Sequence, residues 1–276
     1  MESGLFVVAT PIGNLGDISA RALEVLANVE LIAAEDTRHT ASLLRQYGID
    51  CPMLAYHEHV GQRSGERIMA LLADGASVAL VCDAGTPLIS DPGYRLVRQA
   101  QVAGYRVVPL PGACAAIAAL SVCGLPTNRF LFEGFLPSKA GPRQKQLQIL
   151  ADREETLIFY EAPHRIVDCL RDMALILGGE REAVLAREMT KAFETLRRAP
   201  LAQLLAFVES DSNQQRGEIV LLISGAPPRQ QCLDADTARL LLRLAQELPG
   251  RRAAAVVADL TGLRKKVLYQ YLLDQT

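Results

Sequence analysis

The chain contains no tryptophan, and aromatic residues make up only 5% of its 276 positions. So few rings offer no stacking platform for a single-stranded nucleic acid. No apolar run reaches the roughly 18 residues a membrane span needs. The opening Met1-Glu2-Ser3-Gly4 lacks a basic region ahead of an apolar core, so a cytoplasmic location is expected. The cysteines at 51, 82, 114, 123, 169 and 232 form no CxxC pair, and the histidines at 39, 57, 59 and 164 form no HxxxH pair. Disulfides, zinc and other metals are therefore not expected. There is no G-x-G-x-x-G fingerprint after the first strand and no G-x-x-x-x-G-K-[ST] loop, which argues against dinucleotide binding and nucleotide hydrolysis. An excess of positive charge is missing too, since the net charge is −2. The charge is unevenly spread: residues 229–276 carry eight Lys/Arg and five Asp/Glu, a weakly basic tail on an acidic body.

What the chain does have is an alternation of apolar runs and amphipathic stretches. Strands are expected at 5–9, 31–34, 53–56, 78–82 and 106–109, with helices at 20–27, 40–47, 63–73, 94–103 and 113–123. That order predicts a mostly parallel sheet with helices on its faces. After Gly124-Leu125-Pro126, strands at 130–136, 156–160, 183–187, 194–197 and 218–224 lie closer together, with helices at 142–150, 164–177 and 201–209, which predicts a mixed sheet. Three short helical runs follow, at 236–247, 251–260 and 263–273. The last two join at Thr261-Gly262 and carry Arg264, Lys265 and Lys266, a pattern shared by helix-turn-helix motifs and by helical tails that only pack. The expected fold is thus α/β, as an N-terminal α/β domain over 1–118, a second over 119–228 and a helical extension over 229–276.

The most informative stretch is VALVCDAGTPLISDPGYRL, residues 78–96. A buried strand there runs into a loop rich in small residues and proline, longer than an ordinary turn, at the strand end where α/β sheets bind ligands. Carboxylates and cations also gather after three other strands. Glu35, Asp36, Thr37 and Arg38 follow the second; Glu161, His164 and Arg165 follow the strand ending at Tyr160; Arg187, Glu188, Thr190 and Lys191 follow the next. Such sets suit orienting a hydroxyl and holding flanking phosphates, and they suit salt bridges and helix caps equally well. Lys139, Arg143 and Lys145 are expected to meet phosphates or solvent.

The stretches TPIGNLGDIS, AAEDTRHT, DAGTPLISDPG, PGACAAI, FLFEGFLP, FYEAPHRI, AREMTK and RGEIVLLISG occur in this order. In that order the chain resembles the tetrapyrrole-methylase superfamily of S-adenosylmethionine-dependent methyltransferases, and within it the branch that methylates bacterial small-subunit ribosomal RNA. Relatives acting on tetrapyrroles read Gly-Asp-Pro where this chain has Gly85-Thr86-Pro87, and Cys82 and Arg216 replace a common Ser and Lys. The resemblance implies two α/β domains of the tetrapyrrole-methylase type with the cofactor in the cleft between them, and a homodimer. It implies methyl transfer to the ribose 2′-hydroxyl of cytidine 1402 in 16S rRNA of the 30S subunit. The cofactor contacts it implies are Pro11, Gly13, Asp83, Ala84, Gly85, Thr86, Ile89, Gly112, Ala113, Cys114, Ala115 and Tyr160. Read with that resemblance, Asp36, Arg38, Glu161, His164, Arg165 and Lys191 are the catalytic candidates, and no metal is needed. The shortage of aromatic residues then favours a folded ribonucleoprotein target. A tetrapyrrole-precursor methyltransferase and a non-catalytic sensor of S-adenosylmethionine remain as alternatives.

Overall fold

A computed structural model describes residues 2–57, 62–227 and 234–275. His59, Cys232 and the expected boundary at 228/229 lie outside the described residues. The chain divides after Gly225 into two compact units.

The first unit contains two five-stranded sheets. Strands β1 (Gly4–Val8), β2 (Leu31–Ala34), β3 (Met53–Ala55), β4 (Ser77–Val81) and β5 (Val107–Leu110) form a parallel sheet in the order β3-β2-β4-β1-β5. β2 and β4 are buried at every residue, because helices cover both faces. Helices α1 (Ala20–Asn28) and α2 (Thr37–Gln46) pack on one face through Ala22, Val25, Leu26 and Leu44. Helices α3 (Gln62–Ala73) and α4 (Tyr94–Val102) pack on the other through Ile68, Leu72, Leu96 and Ala100. Caps fix the helix starts: Ser19 Oγ accepts from the Ala22 amide, and the Asp36 carboxylate accepts from the Arg38 amide.

Helix α5 (Ala115–Val122) follows β5, yet it packs on the second sheet. The crossing between the halves is therefore made before Ala115, and not after residue 118 as the sequence suggested. A helix in which Ser121 is the single polar residue carries no stripe to say which sheet it will cover.

The second sheet holds β6 (Phe130–Phe135), β7 (Thr156–Glu161), β8 (Glu182–Arg187), β9 (Thr195–Pro200) and β10 (Ile219–Ile223), in the order β6-β7-β10-β8-β9. It is mixed: β6 and β7 run parallel and the other pairs antiparallel. Helices α6 (Ala140–Leu150), α7 (Ile166–Leu177) and α8 (Leu201–Ser210) cover one face and α5 the other. Arg143, expected among phosphates or solvent, is buried: its Nε lies 2.6 Å from Asp172 Oδ2, and its Nη1 donates to the Ser138 carbonyl. Lys139 and Lys145 are exposed.

The second unit contains α9 (Ala235–Glu247), α10 (Gly250–Thr261) and α11 (Lys265–Asp274). Leu241, Ala253, Ala254, Val257, Leu268 and Leu272 give it a core of its own. Gly262 takes the left-handed conformation, φ 72°, that ends α10 and turns the chain toward α11. Among the described residues no helix is long and apolar enough to cross a membrane.

Candidate active site

β1 and β4 are neighbours, and each ends in a long loop. The loops are tied where the Thr10 amide donates to the Gly85 carbonyl at 2.8 Å and the Gly85 amide returns the bond at 3.1 Å. The loop after β4 is tied to the one after β2 as well. The Asp36 amide donates to Asp83 Oδ1 at 3.0 Å, and the Asp83 amide donates to Glu35 Oε2 at 3.3 Å. Leu88 and Ser90 hold positive φ in the loop after β4, and Glu188 and Thr190 do so after β8. Non-glycine residues persist there only when their surroundings hold them, a feature concentrated at functional sites.

These loops open onto a cavity of about 390 Å³ between the two sheets. From the first half, Ile12, Glu35, Asp83–Thr86 and Ile89–Asp91 line it. Cys114 and Ala115 at the start of α5 join them. From the second half come Phe135, Tyr160–Pro163, Met189 and Gly217–Val220.

Of the residues implied as cofactor contacts, Asp83, Ala84, Gly85, Thr86, Ile89, Cys114, Ala115 and Tyr160 line this cavity. Pro11, Gly13, Gly112 and Ala113 are not among its lining residues. A Cβ on Gly112 would lie 2.8 Å from that of Ala9, and one on Gly13 would strike the Lys191 side chain, so both glycines permit close packing. The Ala113 carbonyl accepts the Thr86 hydroxyl at 2.9 Å. The Tyr160 hydroxyl accepts the Ala116 amide at 3.2 Å, and burial pushes that phenol up from its usual pKa.

Among the six catalytic candidates, Glu161 alone lines the cavity. It is buried, takes the Ala162 amide at 2.8 Å and pairs with Arg165 Nε at 3.1 Å. Arg165 also donates to the Leu136 carbonyl at 2.6 Å, so it works as a brace behind the site. Asp36 caps α2 and grips Arg38, whose guanidinium holds the carboxyl well below the ordinary range; both lie outside the lining. His164 is exposed on the turn before α7. Lys191 reaches the cavity wall through Glu218, bonding Glu188 at 2.8 Å and Glu218 at 2.9 Å. Burial pulls its pKa down, but the two carboxylates outweigh this and hold the ammonium above its ordinary value.

Asp91 is a lining residue that sequence reasoning did not single out. Burial pushes its carboxyl up to about 6; Glu35 and Asp83 push the same way, while a hydrogen bond from the Cys82 thiol opposes them. Met189, Phe135 and Gly217–Val220 were also missed. They sit inside AREMTK, FLFEGFLP and RGEIVLLISG, and apart from Glu218 their side chains are apolar or absent and carry no chemical signal of their own.

The model of the tetrapyrrole (corrin/porphyrin) methylases matches residues 4–205. The chain belongs to this family. Residues 232–276 match a second model, the RsmI C-terminal HTH domain. The chain is 57% identical to the ribosomal RNA small subunit methyltransferase I of Pseudomonas aeruginosa, covering 100% of this chain and 99% of the relative. It is 52% identical to the protein of the same name from Vibrio cholerae, covering 98% and 94%. Among solved structures, the methyltransferase CobJ superposes with a TM-score of 0.61 at 18% identity, over 81% of this chain and 95% of that one. A diphthine synthase does so at 0.59 and 15% identity, over 80% and 89%. At such identities these two structures bear on the tetrapyrrole-methylase fold alone.

Proposed function

We propose that this protein transfers a methyl group from S-adenosylmethionine to small-subunit ribosomal RNA, at the ribose 2′-hydroxyl of cytidine 1402 of 16S rRNA. The observation that carries the reading is 57% identity, over the whole chain, to a relative named for methylating that RNA. The assembled 30S subunit in the cytoplasm is the substrate, and a homodimer the acting form.

The cavity suits the donor. At about 390 Å³ it falls within the size range of small-molecule sites, roughly 300–1,000 Å³. Its walls mix aliphatic side chains with the carboxylates Glu35, Asp83 and Asp91, which match a ligand that is part apolar and part cationic. Asp83–Thr86, Ile89, Cys114, Ala115 and Tyr160 would hold it. When bound, S-adenosylmethionine supplies an already activated methyl group, whose departure leaves a neutral thioether.

The protein's remaining task is to align the ribose oxygen within about 3 Å of that methyl and to manage the proton and charge of a poor nucleophile. Glu161 ends β7 at the cavity wall. Its side chain is fully buried on the face of the sheet opposite Tyr160, where Arg165 and the Ala162 amide hold it, so it stiffens this wall. Lys191, held charged by Glu188 and Glu218 at the start of β10, supplies a cation for the nascent alkoxide or a flanking phosphate. In the second unit, Arg251, Arg252, Arg264, Lys265 and Lys266 are exposed. Two arginines in the first turn of α10 oppose its dipole, an arrangement that a phosphate backbone would relieve.

The direct test is transfer of labelled methyl to 30S particles from cells lacking this protein, followed by nucleoside analysis. A 2′-O-methylated cytidine is expected. Cofactor binding without transfer to particles or RNA would overturn the reading. Lys191→Ala should lose transfer while keeping cofactor affinity. Neutralising the five basic residues should weaken RNA binding and flatten its salt dependence.

A further inference from the structure

The second sheet is irregular at one place. Phe132 pairs with Ile158 and Gly134 pairs with Phe159, so Glu133 is an extra residue in β6. Side chains alternate across a strand, and paired residues of a parallel ladder share a face. Without Glu133, Phe135 would point opposite to Phe132, into the layer of α6, α7 and α8. With it, Phe135 pairs with Tyr160 and joins Phe132 on the cavity side. Both rings meet Tyr160 edge-on, at 5.0 Å for Phe132 and 5.8 Å for Phe135. A bulge that re-aims one side chain beside an active site is a built feature.

This bulge is held from two directions. Glu133 accepts a hydrogen bond from Gln146 of α6 at 2.8 Å. Gly134 takes φ 64°, and a Cβ there would stand 3.0 Å from Ser90 Oγ, in the loop after β4. The side chain so re-aimed is not buried: Phe135 lines the cavity and remains 53% exposed. Tyr160, the other ring in the lining, has its hydroxyl engaged by the α5 amide and its ring edge met by two phenylalanines. Phe135 is thus the aromatic face that the cavity leaves open.

We infer that Phe135 is the stacking platform for the target nucleobase, which leaves its own stack to bring its ribose to the methyl donor. The inference rests on the functional reading above and adds to it the residue that receives the base. An enzyme acting on a nucleotide held in structured RNA must extrude it, and a flipped base is normally read by stacking on an aromatic or apolar side chain. It also revises the expectation that so few aromatic residues leave no stacking surface: one ring at the mouth of the cavity is enough for one base.

The test is a substitution series read on 30S methylation and on cofactor affinity separately. Phe135→Ala should lower kcat/KM by roughly 5- to 150-fold, the range that stacking on one base supplies. Phe135→Leu, apolar and of similar bulk but without a π face, should fall with it. Phe135→Tyr and Phe135→Trp should stay within about threefold of wild type, because they keep the stacking face. S-adenosylmethionine affinity should not move in any of them. Because the chain has no tryptophan, Phe135→Trp also introduces a sole tryptophan that can be excited selectively over the tyrosines, and its emission should not respond to S-adenosylmethionine alone. Full activity in Phe135→Leu would overturn the assignment. So would a loss confined to cofactor affinity, or quenching by cofactor alone, either of which would place the donor's adenine on this ring. A wild-type protein that methylates no 30S RNA would overturn the functional reading itself, an outcome distinct from all of these.

Discussion

The buried pair Arg143–Asp172 separates a structural arginine from an RNA-binding one. Arg143 is 4% exposed and Asp172 8%. Arg143 Nε and Nη2 each lie 2.6 Å from Asp172 Oδ2, and Gln144 occupies Oδ1 at 2.8 Å. Arg143→Met keeps the bulk of the side chain and leaves the carboxylate without its counter-charge. Removing one partner of a buried pair costs about 3–5 kcal/mol. In a domain of this size each kcal/mol moves the melting temperature by about 2–4 °C, so a fall of roughly 6–20 °C is expected. The double variant Arg143→Met/Asp172→Leu replaces both charges with apolar groups and should recover most of the loss. Thermal and urea unfolding of the four proteins in a double-mutant cycle reads the coupling, and methyl transfer at a permissive temperature reads function. A single variant that melts within 2 °C of wild type, on that same scale of about 2–4 °C per kcal/mol, while losing rRNA affinity would refute the structural assignment.

Two further outcomes follow from the cavity and its surroundings. The Asp91 carboxyl, raised from 3.8 to about 6, stays protonated in the folded protein where the unfolded chain has released its proton. Across that window the folded state binds more protons, so this group's contribution to stability falls as pH rises. Asp91→Asn should flatten that limb and be the more stable protein at pH 7, and identical pH–stability curves for the two would contradict it. Gly225→Ala places a Cβ 2.0 Å from the Glu154 carbonyl oxygen, backbone against backbone with no flexible side chain to yield. It should destabilise by about 1–3 kcal/mol or more, and a urea midpoint equal to wild type would count against the packing described.

The strands of the parallel sheet were legible because burial on both faces writes itself as an unbroken apolar run, as in Leu31–Ala34 and Val78–Val81. The loop at Asp83–Asp91 was legible because close approach and restricted backbone demand glycine and proline. Other features depend on partners far along the chain. Nothing local marks Arg143 as buried, since its counter-charge lies 29 residues away. Nothing in FLFEGF marks Glu133 as the extra residue, because a bulge exists only relative to the strand beside it. The catalytic candidates were chosen by residue type at strand ends. That criterion collects caps and braces such as Asp36 and Arg165 together with Glu161, the one candidate in the cavity wall.

Helix α5 begins at a residue whose side chain makes no cap, and one of its first amides is taken by the Tyr160 hydroxyl, 44 residues later. The turn that shapes one wall of the cavity is therefore completed by a strand the ribosome has not yet made when α5 emerges. Synthesis of the first half alone yields an unfinished pocket, and the site comes into being only when β7 is laid down. Splitting the gene between the two sheets would produce fragments with no binding competence until they reassemble. A circular permutant that keeps α5 and β7 in one chain would be spared.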